Sequence, residues 1–265
     1  MKKFGVILLA AIMLVGCLAG CGAQKADQDA VVIASVEDLA GAKIAVQEGT
    51  TGDTYVTDEV EGAVVSRFKR AVDAGIDLKN GKVDAVVIDD QVAKDLVAEI
   101  DGLKILPDML SQEEYAIAVQ KDDKDLLDAI NSTIKEMEEN GLIEKIRKAF
   151  IDKDEAAMAE LKALEAPKGD KKLVMGTNAE FAPFEYMDDN NEIAGYDIEI
   201  AKQIARNLGY ELVIENMAFD GLIAALSGGK VDMIIAGMTV TEERKLQVDF
   251  SDSYYKAAQV IIVKE

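Results

Sequence analysis

An octapeptide that occurs twice constrains this chain more than any other feature. Gly81-Lys82-Val83-Asp84-Ala85-Val86-Val87-Ile88 returns as Gly229-Lys230-Val231-Asp232-Met233-Ile234-Ile235-Ala236. In each copy a helical stretch ends at glycine, and a run of β-branched and apolar residues follows. A run without a polar face is buried on both sides, as in a sheet covered by helices. A chance match of short α/β segments is the alternative; otherwise two copies predict two related α/β halves. Asp89 ends the first strand and the loop Gly237-Met238-Thr239 ends the second. Open α/β sheets bind ligands at the carboxyl ends of their strands, so both ends are candidate site elements.

The remaining segments fit that frame. Residues 43–46, 63–68, 83–89 and 103–106 read as strands alternating with helical stretches such as 91–100, the pattern of parallel βαβ units. Residues 115–119 form a strand after an acidic loop, and 126–140 and 142–151 are amphipathic helices broken at Gly141. Residues 155–165 are rich in strong helix formers, and Pro167-Lys168-Gly169-Asp170 makes a polar break before a new α/β unit begins at Lys172. Residues 196–208 and 221–226 read as helices, 211–214 as a strand, and 259–264 as an apolar strand that runs off the end of the chain.

The first 21 residues have the layout of a targeting segment. Lys2 and Lys3 precede an uncharged apolar run, and Leu18-Ala19-Gly20-Cys21 resembles a bacterial lipobox, in which the cysteine is acylated and becomes the mature N-terminus. A plain secretory signal or an uncleaved anchor is the alternative, although the run is short for a span of about 20 residues. Maturation leaves no cysteine, and histidine is absent from the whole chain. That excludes disulfides, thiol nucleophiles, His triads and His metal sites, and no cofactor or metal is predicted. Loss of two lysines takes the net charge from −21 to −23, which argues against nucleic acid and against polybasic membrane contact. The lipid would provide the anchoring.

Residues 236–255, AGMTVTEERKLQVDFSDSYY, carry the most chemistry. A glycine and two threonines at a strand-to-helix junction offer backbone N–H groups and hydroxyls, and Arg244 adds a planar charged fork suited to a carboxylate. This stretch resembles the signature of the extracytoplasmic amino-acid-binding proteins of ABC importers, solute-binding protein family 3. Other motifs agree: Asn178-Ala179-Glu180-Phe181-Ala182-Pro183-Phe184, Gly195-Tyr196-Asp197-Ile198-Glu199, Phe219-Asp220-Gly221-Leu222, Leu39-Ala40-Gly41-Ala42-Lys43-Ile44-Ala45-Val46 and the Gly49-Thr50-Thr51-Gly52 loop. The resemblance implies an α/β, two-lobed, periplasmic-binding-protein-like (type II) fold. Each lobe is expected to be a mainly parallel sheet flanked by helices, with the ligand cleft between lobes. It further implies a monomeric receptor that closes on one L-amino acid, delivers it to an ABC permease with its ATPase, and is neither an enzyme nor a nucleic-acid binder.

By the same resemblance, Arg244 takes the α-carboxylate with the Thr239 hydroxyl and backbone donors at Gly237, Thr239, Thr50 and Thr51, and Asp89 takes the α-ammonium. Phe181 and Phe219 sandwich the ligand side chain. Asn178 stands where members with cationic ligands commonly have Asp, and Gln47 and Ile88 stand where glutamine-binder-like members have Lys and His. A neutral polar amino acid is therefore expected. Plainer readings exist for each: Arg244 as a surface residue, Asp89 as a helix cap, the phenylalanines as core, the threonines as a turn. A dehydratase-like enzyme on the same fold would need Glu180 or Asp89 as acid or base. A sensor domain without transport is the third class.

The family's blocks come in exchanged order here, as in a circular permutation, with 152–170 joining the old ends. The expected division is signal 1–21, tether 22–30, lobe 2 over 31–113, and lobe 1 over 114–265. Lobe 1 would hold terminal helices (124–151), the linker and the block 171–265. One crossing between lobes, near residues 111–118, would stay covalent and the other would be cut.

Overall fold

The computed structural model describes residues 32–164 and 166–265; the signal segment, the tether and Cys21 lie outside the described residues. Elements follow in chain order. The first part holds β1 (Lys43–Gln47), α1 (Thr51–Glu59), β2 (Val64–Phe68), α2 (Ala71–Lys79), β3 (Ala85–Asp89), α3 (Asp90–Glu99) and β4 (Leu103–Met109). Then come β5 (Glu113–Gln120), α4 (Lys124–Glu139), α5 (Leu142–Phe150) and α6 (Glu155–Lys162). The last part holds β6 (Lys171–Thr177), β7 (Glu180–Phe181), β8 (Glu185–Met187), β9 (Ile193–Ala194), α7 (Tyr196–Leu208), β10 (Tyr210–Asn216), α8 (Leu222–Ser227), β11 (Met233–Ile234), α9 (Glu242–Lys245), β12 (Val248–Ala257) and β13 (Gln259–Lys264).

Two five-stranded sheets have the same plan, β2-β1-β3-β13-β4 and β10-β6-β11-β5-β12, and a small sheet β7-β8-β9 stands beside the second. In each large sheet three strands run parallel, the fourth position is antiparallel, and the edge strand beyond it returns to the first direction. The repeated octapeptide supplies the central strand of each, β3 and β11. Its aspartate has one local role in both copies. Asp84 Oδ2 accepts the Lys43 N–H at 2.8 Å, and Asp232 Oδ2 accepts the Val174 N–H at 2.7 Å. Each also gives its own N–H to the carbonyl of that same residue, at 2.7 and 2.8 Å. The motif thus clamps the start of the neighbouring strand, and Gly81 and Gly229 turn the chain into it with φ of 69° and 70°.

The structure corrects the expected lobe boundary. β13 lies within 114–265 yet pairs with β3 and β4 of the first sheet. Its residues Val260, Ile261, Ile262 and Val263 are all buried, and a strand apolar on both faces is stable only with a sheet neighbour on each side and cover above and below. Consequently two crossings are covalent, rather than one. The chain leaves the first sheet after β4 and enters β5; it leaves the second after β12 and enters β13 through Ala258. Glu265, after β13, gives its N–H to the Gly102 carbonyl at 3.0 Å, just before β4. Of the linking segments, α4 packs on β12 and α7, and α5 carries α6. No helix among the described residues is long and apolar enough to cross a membrane.

Candidate functional site

The ends of β3 and β11 face one another across the space between the large sheets. Eight of the ten predicted site residues line one small cavity there: Thr50, Thr51, Asp89, Phe181, Phe219, Gly237, Thr239 and Arg244. The space between them is about 10 Å³, about the room of one water molecule, so the two sides are closely apposed. A roomier groove of about 500 Å³ lies elsewhere, between α3, the α5–α6 segment and Tyr186, and contains none of the predicted residues.

Arg244 rises from α9, a single turn whose N-cap Thr241 accepts the Arg244 N–H at 3.1 Å. Its side chain turns inward and is 9% exposed, which rules out the surface reading. Nη1 donates to the Thr239 carbonyl at 2.6 Å and Nη2 to the Gly49 carbonyl at 3.1 Å, and the guanidinium lies 5.4 Å from the centre of the Phe219 ring. Burial pushes its pKa down, and among the described residues no carboxylate pairs with it. Carbonyl oxygens solvate the charge without balancing it, which leaves it suited to an incoming anion.

Asp89 holds the N-cap position of α3, yet no cap hydrogen bond reaches its side chain. Its Oδ1 accepts the hydroxyl of Tyr115 instead. Burial first, and the nearby Glu113 charge second, push its pKa up to about 7. A cation that reached this carboxyl would draw it to the ionised form.

Other predicted residues behave differently in detail. The Gly237 N–H is taken by Asp197 Oδ2 at 2.8 Å, so it is not available as a donor to a ligand. A Cβ on Gly237 would fall 2.7 Å from the Phe181 ring, so glycine is what lets the loop lie against that aromatic. The Thr50 hydroxyl caps α1 and gives its proton to the Gln47 carbonyl at 2.8 Å. Gln47 and Asn178 lie outside the small cavity and bond to each other, Nε2 to Oδ1 at 2.8 Å, from opposite sheets. Gln47 Oε1 is buried without a donor among the described residues. At the rim, Lys69–Asp220 and Arg70–Glu180 join the two sides through half-exposed ion pairs of 2.8 and 2.9 Å.

Three further functional candidates are assigned no role by the sequence, although Asp197 lies in the Gly195-Tyr196-Asp197-Ile198-Glu199 motif. Glu113, the first residue of β5, is buried, and its Oε2 accepts from Thr51 Oγ1 at 2.9 Å, Thr239 Oγ1 at 2.6 Å and Gln259 Nε2 at 3.3 Å. Under the Gly237 loop, Asp197 also accepts the Tyr254 hydroxyl at 2.9 Å, and Glu185 lies beside it. Both Glu185 oxygens and Asp197 Oδ1 are buried without another donor among the described residues. Burial and then the Asp197 charge push the Glu185 pKa well up, which favours its protonated form. Among the described residues no group of His, Cys, Asp or Glu side chains could hold a metal ion.

Residues 173–265 match the family of bacterial extracellular solute-binding proteins, family 3. The arginine-binding extracellular protein ArtP of Bacillus subtilis (strain 168) is 50% identical over 97 residues, 37% of this chain and 38% of that protein. The ABC transporter arginine-binding protein 1 of Escherichia coli (strain K12) is 41% identical over 95 residues, 36% of this chain and 39% of that protein. Among solved structures, the arginine-bound form of domain 1 from TmArgBP is 46% identical, with a TM-score of 0.31 over 36% of this chain and 80% of that one. The chain thus spans under two fifths of the first of these curated relatives' length.

Proposed function

We propose that the protein is an extracytoplasmic receptor that binds one polar L-amino acid between its two large sheets and hands it to an ABC permease with its ATPase. One observation carries this reading. A buried arginine and a buried aspartate, neither ion-paired among the described residues, flank one small cavity from the ends of the two repeated strands. That charge pattern complements the zwitterion common to all amino acids. Asp89 takes the ammonium, Arg244 the carboxylate, and the Phe181 and Phe219 rings the side chain. Gln47 Oε1, a buried acceptor without a donor among the described residues, supports a ligand side chain that ends in N–H groups. Relatives named for arginine make arginine the first candidate. Acylation at Cys21 would hold the receptor at the membrane.

The exchanged order of the two blocks belongs to the same proposal. The family match is confined to 173–265, while the repeated octapeptide and its aspartate clamp extend the same architecture to the preceding part. The relatives are solute-binding proteins, and the acids at this site are engaged in fixed hydrogen bonds, so catalysis is not part of the proposal. A thermal-shift screen against the twenty L-amino acids tests the binding claim. A polar amino acid should raise Tm in step with the logarithm of its concentration over Kd. Absence of any shift across the set counts against it.

A further inference from the structure

Residues 152–164 lie outside the stretch that matches the solute-binding family, which begins at 173. They are firmly seated all the same. α5 packs on α4 and α7, and α7 on β10 of the second sheet. α6 rests on α5 through the buried Ala157 and Leu161, and Lys145 pairs with Glu160 at 2.6 Å. Asp154 starts α6 by accepting the N–H groups of Ala156 and Ala157 at 2.9 and 3.0 Å, and its own N–H goes to the Lys148 carbonyl at 3.0 Å. All of these contacts tie the segment to the body of the second sheet.

Lys153 departs from that pattern. Between the two helices its backbone takes a φ of 57°, a left-handed conformation that lysine adopts only at a cost. From there its Nζ reaches Asp95 Oδ1 at 2.9 Å, 58 positions earlier in the chain, on α3 of the first sheet. Both residues line the groove of about 500 Å³, with Glu99 on the α3 side and Phe150, Met158 and Pro183 on the other. The two rim pairs also join the sides, but their acids Asp220 and Glu180 are 37% and 32% exposed, against 14% for Asp95. A carboxylate withdrawn that far from water gains more from a nearby cation than an exposed one does. Asp95 belongs to the helix that Asp89 opens as its N-cap residue, so whatever holds Asp95 also holds the acid end of the cavity.

We propose that the Lys153 turn and α6 form a strap: anchored on α5, the segment uses Lys153 to hold α3, and with it the Asp89 end of the cavity, against the second side of the protein. The strap stands without the amino-acid reading above; only its effect on affinity rests on that reading. Without the ion pair the two sides separate more often, and the cavity, closed here to about the room of one water, opens to solvent. Glycine takes a φ of 57° more readily than lysine, so Lys153→Gly removes the ammonium while relieving the backbone. A loss of fold is therefore not the expected result of that change.

Hydrogen exchange of the ligand-free protein reads the opening directly, because a protected amide exchanges in proportion to the population of states that expose it. Lys153→Gly and Asp95→Asn should each speed exchange about threefold at residues 236–239 and 50–54, on the two walls of the cavity, with residues 203–208 of α7 unchanged. Lys153→Arg should match wild type. The double variant should exchange no faster than either single one, since both changes remove the same ion pair. Unchanged exchange at the cavity, equal acceleration along the whole chain, or effects that multiply in the double variant would overturn the strap. In calorimetry with L-arginine, Lys153→Gly should weaken binding about threefold, because the assembled site is populated less often. Unchanged affinity beside faster exchange would overturn the link to the site. Faster exchange in a protein that binds none of the twenty amino acids would support the strap and overturn the receptor reading alone.

Discussion

The two copies of the octapeptide are alike at one end and opposite at the other. At the amino end, Asp84 and Asp232 make the same pair of hydrogen bonds to the first strand of their sheets. At the carboxyl end, β3 stops in a buried acid, Asp89, while β11 opens into a loop that reaches Thr239 and, one turn later, the buried cation Arg244. The common end is a folding device. The divergent end is where chemistry resides, and its two versions carry opposite charge toward one space. On the proposed reading, two copies of a single supersecondary unit thereby make a site that neither copy contains.

Changes at the divergent ends should produce the largest effects, and unequal ones. Arg244→Ala should lower amino-acid affinity about 100-fold or more, or about 2.7 kcal/mol, with far-UV circular dichroism unchanged. Asp89→Asn should cost about tenfold, because an amide still accepts a hydrogen bond from the ammonium but gives no charge. Equal losses at both ends, or none, would break the complementary-charge account.

Acidity offers a second contrast. Asp89 has its pKa raised to about 7, so a ligand ammonium that needs the carboxylate should bind about tenfold more tightly at pH 8 than at pH 6. Asp89→Asn should flatten that slope. Ligand-free stability should move the other way. Groups with raised pKa bind more protons folded than unfolded, so their contribution is full below about pH 4 and is lost as pH rises through the folded value. Both Asp89 and Glu185 act in this direction. Glu185→Gln should therefore raise the ligand-free Tm at pH 8 by more than at pH 5, which a pair of melting curves checks. A Tm gain that does not depend on pH would show that Glu185 is not the proton holder.

The smallest effects belong to the shared ends. Asp84→Ala and Asp232→Ala should each cost about 1 kcal/mol or less, similar to one another, with ligand affinity retained. A large loss of binding in either would mean that the clamp is part of the site.

Much of this architecture is legible in the amino-acid sequence. The octapeptide announces two related sheets because an all-apolar strand after a glycine stop has few other fates, and the polar run Asp188-Asp189-Asn190-Asn191 lies in the turn between β8 and β9. Arg244, Asp89, Thr239 and the phenylalanines are readable from local motifs and do meet at one cavity. The sheet membership of β13 is not, because a terminal apolar strand says that it is buried and not beside which neighbours. Nor is Glu113: in Ser111-Gln112-Glu113-Glu114 nothing local separates a buried carboxylate from a solvated one, and apart from Ser111 its partners lie 62, 126 and 146 positions away. The Gly237 N–H escapes assignment for a related reason, since Asp197, which takes it, is 40 positions distant.

The most direct measurement is a calorimetric titration of L-arginine, or of whichever amino acid gives the largest thermal shift, into wild type and Arg244→Ala at pH 8. The account predicts one saturable site in wild type and loss of about 100-fold or more in the variant, with both proteins folded. Equal affinity in the two, or no binding in wild type by any of the twenty, would contradict it.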